Sequence, residues 1–228
     1  MITLAIDTSA HLCAAALHDD GIGAVLAECS EDIGRGHAER LMETIGHVLA
    51  ETGLAYSDIG RVAACVGPGS FTGVRVGLAT ARGMALGLGV PVLGVSALDA
   101  LKLAASEKEG EGETPLLVVL DARRCEVYAQ FFGDNSGTFP EGPFVASCET
   151  IATMAADANN LALCGSGAPL IAEQAGREFE IRHRLAAAPI GDYARLGAGA
   201  PLTQTRPEPL YLRPPDAKPQ TGFALARA

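Results

Sequence analysis

The sequence predicts an α/β fold built from two lobes, each a diverged copy of one structural unit. An apolar strand that ends in an aspartate occurs twice, at residues 4–7 and again at residues 117–121. In both places a second apolar strand follows after a short turn, which is the pattern of a repeated unit. A polar, glycine-broken stretch at residues 106–113 separates the copies, as a linker between lobes would. With 228 residues the chain is long enough for two such lobes.

The first lobe has the predicted order βββαβαβ. Apolar runs bounded by turn residues predict its strands, and apolar residues at helical spacing predict its helices. The first helix is expected to stop at Gly53, because glycine readily adopts the left-handed conformation that ends many helices. The predicted strands cover residues 4–7, 13–17, 24–27, 61–66 and 91–95, and the predicted helices cover residues 38–52 and 72–88.

The second copy is less regular, and a proline-rich segment follows it. Six prolines from residue 200 onward interrupt regular structure and predict an extended strap across the surface. We therefore divide the chain into a first lobe (1–106), a second lobe (107–199) and the strap (200–228). The predicted elements of the second lobe are strands at residues 117–121, 125–132 and 160–164 and helices at residues 168–176 and 191–196.

A glycine-rich turn from Gly67 to Gly77 joins the fourth strand to the second helix. A strand, a glycine turn and a helix N-terminus can together bind phosphate through free backbone amides. The first three glycines, however, are spaced G-x-G-x-x-x-G instead of G-x-G-x-x-G, and Val74 stands where a P-loop has its lysine. A structural turn, with Ser70 as a turn residue, is therefore favoured over phosphate binding.

Small residues recur at every fourth position of the second helix and form a stripe of Gly73, Gly77, Ala81 and Ala85. Each interior glycine costs roughly 1 kcal/mol relative to alanine, so a closely packed neighbour is expected. That neighbour is either another element of the same chain or a helix of another subunit. We predict that the stripe and the first helix together form a docking surface. Its predicted residues are Met42, Ile45, Gly73, Gly77, Ala81 and Met84.

Composition argues against several classes of function. The formal charge of −10 repels polyanions, so an RNA would be bound only through a partner. The six cysteines include no C-x-x-C pair, which predicts reduced core cysteines in a cytosolic protein. The N-terminus has no basic leader, and no uncharged apolar stretch is long enough for a membrane span. A cytoplasmic location is therefore expected.

Two aspartates are candidate cation ligands. Asp7 and Asp121 could face each other across a cleft and hold hydrated Mg²⁺ against phosphates, as two-lobed ATPases do, or each could only cap its own turn. In a working ATPase of that kind glycines follow the second aspartate, whereas here Arg123 and Arg124 close the approach with side chains. Two glycines of the second lobe, Gly165 and Gly167, could lie beside an adenine.

Hydrolase chemistry has little support in the sequence. His37 and His47 are ten residues apart, outside the i,i+4 spacing that places two metal ligands on one helix face. The chain contains neither H-x-x-x-H nor H-E-x-x-H, and Ser70 does not stand in a G-x-S-x-G motif. A zinc or iron hydrolase is therefore disfavoured.

Four motifs occur in chain order: Asp7 to Ser9, Gly67 to Arg75, Asp121 to Tyr128, and Pro209 to Arg213. Together they resemble the TsaB (YeaZ) family of bacterial tRNA threonylcarbamoyladenosine biosynthesis proteins. The resemblance implies the two-lobed actin-like ATPase fold (ASKHA, a duplicated RNase H-like α/β fold). One departure is Cys125, where members of that family often have glycine.

The resemblance also implies a function. Members of that family are similar to the catalytic subunit TsaD and act as non-catalytic partners in the complex that installs threonylcarbamoyl on adenosine 37 of tRNAs reading codons that start with A. The implied partners are a TsaD-like catalytic subunit, docked through the surface predicted above, and a TsaE-like ATPase. Transfer RNA would be reached only through the complex, and a homodimer would form when the partner is absent.

The same resemblance implies that no cofactor binds tightly to this chain alone, with ATP and metal held by partner subunits. TsaD-like proteins carry H-x-x-x-H metal ligands after the strand that here leads into residues 94–99, where no histidine remains. Two alternatives stay open. One is a self-sufficient actin-fold ATPase or kinase, disfavoured by Arg123 and Arg124; the other is a metallopeptidase-like hydrolase, disfavoured by the missing ligands.

Overall fold

The computed structural model describes residues 1–106, 114–133, 137–158, 160–202 and 206–213. Within these residues the first half contains β1 (Ile2–Asp7), β2 (Leu12–Asp19), β3 (Ala24–Asp32), α1 (His37–Thr52), β4 (Ile59–Gly67), α2 (Phe71–Leu88), β5 (Val92–Ser96) and α3 (Ala97–Ser106). The second half contains β6 (Leu116–Asp121), β7 (Glu126–Phe132), β8 (Phe144–Ser147), α4 (Cys148–Asp157), β9 (Ala162–Cys164), α5 (Ala168–Ala175), β10 (Glu180–His183) and α6 (Ile190–Gly199).

The two halves repeat one sheet topology. The first sheet has the order β3-β2-β1-β4-β5, and the second has the corresponding order β8-β7-β6-β9-β10. In each sheet the first three strands form an antiparallel meander, the fourth strand pairs parallel with the first, and the fifth pairs parallel with the fourth. This repetition confirms the duplicated α/β fold predicted from the two strands that end in aspartate.

The helices and sheets stack in five layers. Helices α1 and α2 cover the outer face of the first sheet, and α4 and α5 cover the outer face of the second. Helices α3 and α6 lie between the sheets in a core that takes residues from both halves, including Ala63 of β4, Leu101 of α3 and Val118 of β6. The two sheets therefore share one hydrophobic core.

The sequence predictions missed four elements: α3, β8, α4 and β10. Helix α3 follows β5 without a break, and its buried residues include Leu98, Leu101 and Ala105. Because α3 lies between the two sheets, apolar residues cover much of its surface and its periodicity is blurred. Helix α4 does carry a readable start, since the Ser147 hydroxyl accepts a hydrogen bond from the Thr150 amide.

The stripe of small residues faces the interior of the first lobe, which corrects the prediction of an exposed docking surface. A Cβ on Gly77 would lie 2.6 Å from Thr8 Oγ1, and a Cβ on Gly73 would overlap the Thr8 carbonyl oxygen. Ala81 and Ala85 are buried in the core beneath α2. The neighbour that requires small residues is therefore β1 and the turn after it, the same-chain alternative.

The other predicted docking residues divide between core and surface. Ile45 is fully buried, so it is not available to a partner. Met84 is half-buried at the edge of the same core, whereas Met42 is exposed. Of the six predicted docking residues, therefore, only Met42 and part of Met84 are exposed to a partner.

A buried arginine fastens α6 to the first sheet. Arg61 of β4 donates hydrogen bonds from Nη1 to the carbonyl oxygens of Gly197 (2.8 Å) and Ala198 (2.9 Å), at the C-terminal end of α6. Its Nη2 lies 3.4 Å from Asp20 Oδ2. The guanidinium thus satisfies helix-end carbonyl groups and complements the negative end of the helix dipole.

Residues 206–213 of the predicted strap carry no helix or strand and cross the molecule from α2 to the β6–β7 turn. The Leu210 amide donates to the Val66 carbonyl oxygen (2.8 Å), and Arg75 Nε donates to the Tyr211 hydroxyl (2.7 Å). Arg213 contacts the Glu126 carboxylate at the other end. The predicted boundary between the lobes lies in the stretch 106–113, of which residues 107–113, like 203–205 and 214–228 of the strap, lie outside the described residues.

Candidate functional site

A cleft of about 760 Å³ lies where the two halves meet, at the ends of β1, β4 and β6. Two arginines and two acidic residues line it, namely Arg35 and Arg123 against Glu39 and Asp121. These formal charges balance, so the cleft offers no net positive field to a polyphosphate. Other polar groups on its walls are Ser9, His11, His37, Ser70, Thr72, Tyr128 and Ser166.

The glycine-rich turn forms one wall of the cleft and is held against the β1–β2 turn. The Ser70 amide donates to the Ser9 carbonyl oxygen (2.6 Å), and Thr8 Oγ1 donates to the Gly73 carbonyl oxygen (2.7 Å). A Cβ on Gly69 would lie 2.9 Å from the Ser9 Cβ. The Ser70 hydroxyl caps α2 by accepting from the Gly73 amide (3.3 Å). These contacts fit a structural turn, because the Ser70 and Gly73 amides already have partners within the chain.

The two candidate aspartates each close their own turn. Asp7 Oδ1 accepts from the Ser9 amide (2.8 Å), and Asp121 Oδ1 accepts from the Arg123 amide (2.7 Å). Asp121 is exposed and lines the cleft, whereas Asp7 is only 2% exposed and is not among the lining residues. The capping alternative therefore describes both residues, and the structure does not place them as a facing pair of cation ligands.

Asp7 belongs to a buried polar group beneath the cleft. Burial, and then the charge of Asp7, raise the pKa of the Cys65 thiol well above its usual value. The same two causes, in the same order, raise the pKa of the Tyr193 hydroxyl. Both neighbours thus stay protonated around the carboxylate, at the contact between the first sheet and α6.

The β6–β7 turn presents side chains, not bare backbone, to the cleft. Arg123, Arg124 and Cys125 have φ values of 62°, 55° and 60°, a left-handed conformation that is costly for residues other than glycine. The turn is closed by hydrogen bonds from the Ala122 amide to the Glu126 carbonyl oxygen and from the Glu126 amide to the Arg123 carbonyl oxygen. A phosphate therefore cannot reach this backbone as it would reach a glycine turn.

Packing within the chain requires the two glycines that were proposed to lie beside an adenine. Gly165 has a φ of 100°, and a Cβ there would overlap the Val119 carbonyl oxygen. A Cβ on Gly167 would lie 2.7 Å from Val119 Cγ1. Neither glycine lines the cleft; Ser166 between them does, and its hydroxyl accepts from the Asp121 amide (3.1 Å). These glycines allow the β9–α5 turn to approach β6.

Sequence reasoning missed His11 and Arg35, which also line the cleft. Both stand in turns near ends of the first three strands, and the meander brings those ends to one edge of the sheet. His37 lies beside them at the start of α1, and its Nε2 is buried without a hydrogen-bond partner. Among the described residues, no three histidine, cysteine, aspartate or glutamate side chains cluster closely enough to hold a metal ion.

A second feature lies on the outside of the first lobe. We call it the outer helix face and define it as Met42 and Gly46 of α1 with Gly83, Leu86 and Gly87 of α2. Met42 is 46% exposed and Leu86 is 81% exposed. A Cβ on any of the three glycines would have nothing within 4 Å. Unlike the buried stripe, these glycines are not required by any contact within the described part of the chain.

The repeated sheets, the shared core and the cleft between the halves define the class: a protein with the two-lobed actin-like ATPase fold, as the motifs predicted. The family model for TsaD, tRNA N6-adenosine threonylcarbamoyltransferase, matches residues 29–159. The TsaB protein of Escherichia coli, a "tRNA threonylcarbamoyladenosine biosynthesis protein", is 40% identical over 139 residues, which cover 60% of this chain and 58% of that protein.

Two further similarities extend over nearly the whole chain. An uncharacterized protein of Mycobacterium bovis, Mb3455c, is 37% identical over 220 residues, which cover 95% of this chain and 93% of that protein. A crystal structure from Pseudomonas aeruginosa, described as similar to the peptidase YeaZ, superposes with a TM-score of 0.76 and 29% identity over 93% of this chain and 99% of that one. The chain belongs to the TsaB (YeaZ) family. None of the described helices combines the length and the apolar character needed to cross a bilayer.

Proposed function

We propose that this chain is a non-catalytic partner subunit of the complex that installs threonylcarbamoyl on adenosine 37 of tRNAs reading codons that start with A. In that complex it docks onto a TsaD-like catalytic subunit and scaffolds or activates it. The observation that carries the proposal is the outer helix face. The similarity to the Escherichia coli TsaB protein and to the TsaD family model supports the same pathway.

The outer helix face has the properties of a helix-docking surface. Gly46 and Gly83 stand inside helices, where each costs roughly 1 kcal/mol relative to alanine, and none of the residues that the structure describes fills the space beside them. Absent side chains let the backbone of another helix approach and gain dispersion contacts. The exposed Met42 and Leu86 supply apolar area next to these gaps.

A TsaD-like subunit is the partner that the similarity favours. The TsaD model matches residues 29–159, which include both α1 and α2, so a TsaD-like chain carries a related pair of helices. Two related surfaces can pair around an approximate twofold axis, as identical surfaces do in homodimers. The same face would pair with a second copy of this chain when the partner is absent.

Two leucine substitutions in α2 separate docking from folding. Gly83→Leu fills the open space of the outer helix face, so it should abolish capture of the TsaD-like subunit while the variant melts no lower than wild type. Gly77→Leu should instead lower the melting temperature strongly, because a Cβ there already lies 2.6 Å from Thr8 Oγ1. A folded Gly83→Leu variant that captures the TsaD-like subunit with unchanged affinity would refute docking through this face.

The proposal assigns no catalysis to the chain itself. The arginine-bearing β6–β7 turn and the balanced charge of the cleft support this assignment against the alternative of a self-sufficient ATPase or kinase. The purified chain should show no ATP turnover and no threonylcarbamoyl transfer when tested alone. Multiple turnovers that survive removal of contaminating partners, and that disappear in Asp121→Ala, would favour the ATPase alternative; zinc-dependent peptide cleavage would favour the metallopeptidase.

The remaining members of the complex follow from the same proposal. ATP and metal would be held by the TsaD-like subunit and a TsaE-like ATPase, and the expected compartment is the cytoplasm. The formal charge of −10 keeps tRNA off the isolated chain at physiological salt, so tRNA contact arises only in the complex. A band-shift assay tests this point: micromolar binding of tRNA by the chain alone would contradict it.

A further inference from the structure

A second cavity, which shares Asp121 and Arg123 with the cleft, is lined by two cysteines. It measures about 810 Å³, and Cys125, Cys148, Arg123, Arg124, Glu149 and Glu173 contribute to its wall. Cys125 is the last residue of the turn and is exposed, whereas Cys148 is the first residue of α4 and is 8% exposed. No spacing signal predicts this pairing, because 22 residues separate the two cysteines and the sequence predicted reduced core thiols.

The two cysteines meet just beyond the end of the β7–β8 ladder. Glu126 of β7 pairs with Ser147 of β8, and Cys125 and Cys148 are the adjoining residues of the two segments. The Cys148 amide donates to the Cys125 carbonyl oxygen (2.9 Å), so their backbones are in direct contact although Cys125 lies in the turn and Cys148 begins α4. A disulfide requires Cα atoms about 4.4–6.8 Å apart, a separation that a direct backbone hydrogen bond between the two residues permits.

From this juxtaposition we infer that Cys125 and Cys148 form a reversible redox pair that closes an intramolecular disulfide when the protein meets hydrogen peroxide. Cys125 reacts first, because it is the exposed thiol of the pair. Cys148 is the resolving thiol. Burial, followed by the neighbouring Cys125, raises the pKa of Cys148, so this second thiol stays protonated and protected until Cys125 has been oxidised.

The chemistry balances as a two-electron oxidation. The Cys125 thiolate attacks one oxygen of the peroxide, the O–O bond breaks, and a sulfenic acid forms at Cys125 as hydroxide leaves and takes up a proton to become water. The Cys148 sulfur then attacks the Cys125 sulfur, the S–O bond breaks, and the Cys148 proton leaves with the hydroxyl group as a second water. A dithiol reductant reverses the step and restores both thiols.

The disulfide would change the mobility of the cleft wall. Cys125 ends the turn that carries Asp121 and Arg123 into the cleft, and Glu126, the next residue, contacts Arg213 of the strap. A bond from Cys125 to the first turn of α4 fixes this turn at a second point. The position of the turn relative to the cleft thus becomes dependent on the redox state.

The chain contains its own control pair. Cys13 and Cys29 lie on neighbouring strands, but Cys13 pairs with Glu31 and Ala15 pairs with Cys29, so the two cysteines are diagonal neighbours. Diagonal positions are about 7–8 Å apart, beyond the reach of a disulfide without backbone movement. Peroxide should therefore oxidise Cys125 and Cys148 and leave the diagonal pair reduced.

The full chain, fully reduced and then treated with stoichiometric hydrogen peroxide, tests the inference by peptide mass mapping under denaturing, thiol-blocking conditions. We expect loss of two of the six thiols, a peptide cross-linked between Cys125 and Cys148, and its disappearance after treatment with dithiothreitol. Cys29→Ser should still form the cross-link, whereas Cys125→Ser and Cys148→Ser should not.

A second readout concerns the turn itself. Trypsin cleavage after Arg123 or Arg124 in the folded protein should slow several-fold on oxidation of wild type and of Cys29→Ser, but should not change for Cys148→Ser. A sulfinic acid at Cys125 with Cys148 still free, a bond between any other two cysteines, or trypsin rates that oxidation leaves unchanged would each overturn the inference.

Discussion

Two alanine substitutions in α2 should change stability in opposite directions, and this is the sharpest test of the packing described above. Gly73 and Gly83 belong to the same helix, so alanine brings the same gain in helix propensity to both, up to about 1 kcal/mol. At Gly83 no atom of the described residues lies within 4 Å of the new Cβ, so that gain is retained. At Gly73 the new Cβ overlaps the Thr8 carbonyl oxygen, which is backbone and cannot rotate away.

The size of the effect at Gly73 follows from two losses. Overpacking against fixed atoms typically costs about 1–3 kcal/mol. Any shift of α2 that relieves the overlap also strains the 2.7 Å hydrogen bond from Thr8 Oγ1 to the Gly73 carbonyl oxygen, a contact worth about 1 kcal/mol. We expect Gly73→Ala to lose about 1–3 kcal/mol net and Gly83→Ala to gain about 0.5–1 kcal/mol.

Urea denaturation followed by far-UV circular dichroism measures both changes, since the chain has no tryptophan to report by fluorescence. For a chain of this size each kcal/mol corresponds to about 2–4 °C in melting temperature, so the two variants should differ by several degrees. Equal stability of the two variants, or a loss at Gly83, would refute the assignment of the inner and outer faces of α2.

Three further predictions concern other parts of the structure. Arg61→Ala should destabilise the protein by up to about 3–5 kcal/mol in the same denaturation assay, because the half-buried Asp20 and the carbonyl groups at the end of α6 lose their cation; a loss below 1 kcal/mol would contradict this role. Burial raises the pKa of Cys164 from 9.0 to about 12, so this thiol stabilises the fold fully below pH 9 and the contribution is lost as the pH rises towards 12. The free energy of unfolding should therefore fall less steeply above pH 9 in Cys164→Ala than in wild type. Parallel pH profiles of the two proteins would contradict this prediction. Tyr211→Ala should cost less than about 1 kcal/mol of stability, because the hydrogen bond from Arg75 and the ring contact with Phe71, 5.7 Å between centroids, are both exposed. The same change should speed protease cleavage of the strap, and unchanged cleavage would show that other contacts hold the strap in place.

The sequence was informative wherever a local rule decides the structure. Strands that end in Asp7 and Asp121 marked the repeat, and Gly53 indeed ends α1 with a left-handed φ of 70°. The turn from Gly67 also follows local rules. Ser70 caps the helix that begins next to it, and Gly69 has no side chain where the turn approaches Ser9. Gly53 and Gly67 in particular adopt left-handed conformations, with φ of 70° and 93°, that few other residues can adopt.

The sequence pattern could not show which neighbour each helix or strand packs against. Gly77 and Gly83 have the same residue type, helix and local sequence character, yet one faces Thr8 and the other faces open space. The difference depends on how α2 is rotated over the first sheet, which is a tertiary property. In the same way the cleft residue His11 and the two cysteines of the second cavity come together only through strand pairing, which leaves no spacing signal along the chain.

The core shared by the two sheets has a consequence for how the molecule comes apart. Helix α3 precedes β6 in the chain but packs against the second sheet, and α6 follows β10 but packs against the first. A chain cut between α3 and β6 would therefore give two fragments, each with an apolar sheet face lacking one of the helices that cover it. Neither half is a cooperative folding unit by itself, so intact protein should unfold in a single transition, and the separated fragments should regain native structure only when mixed.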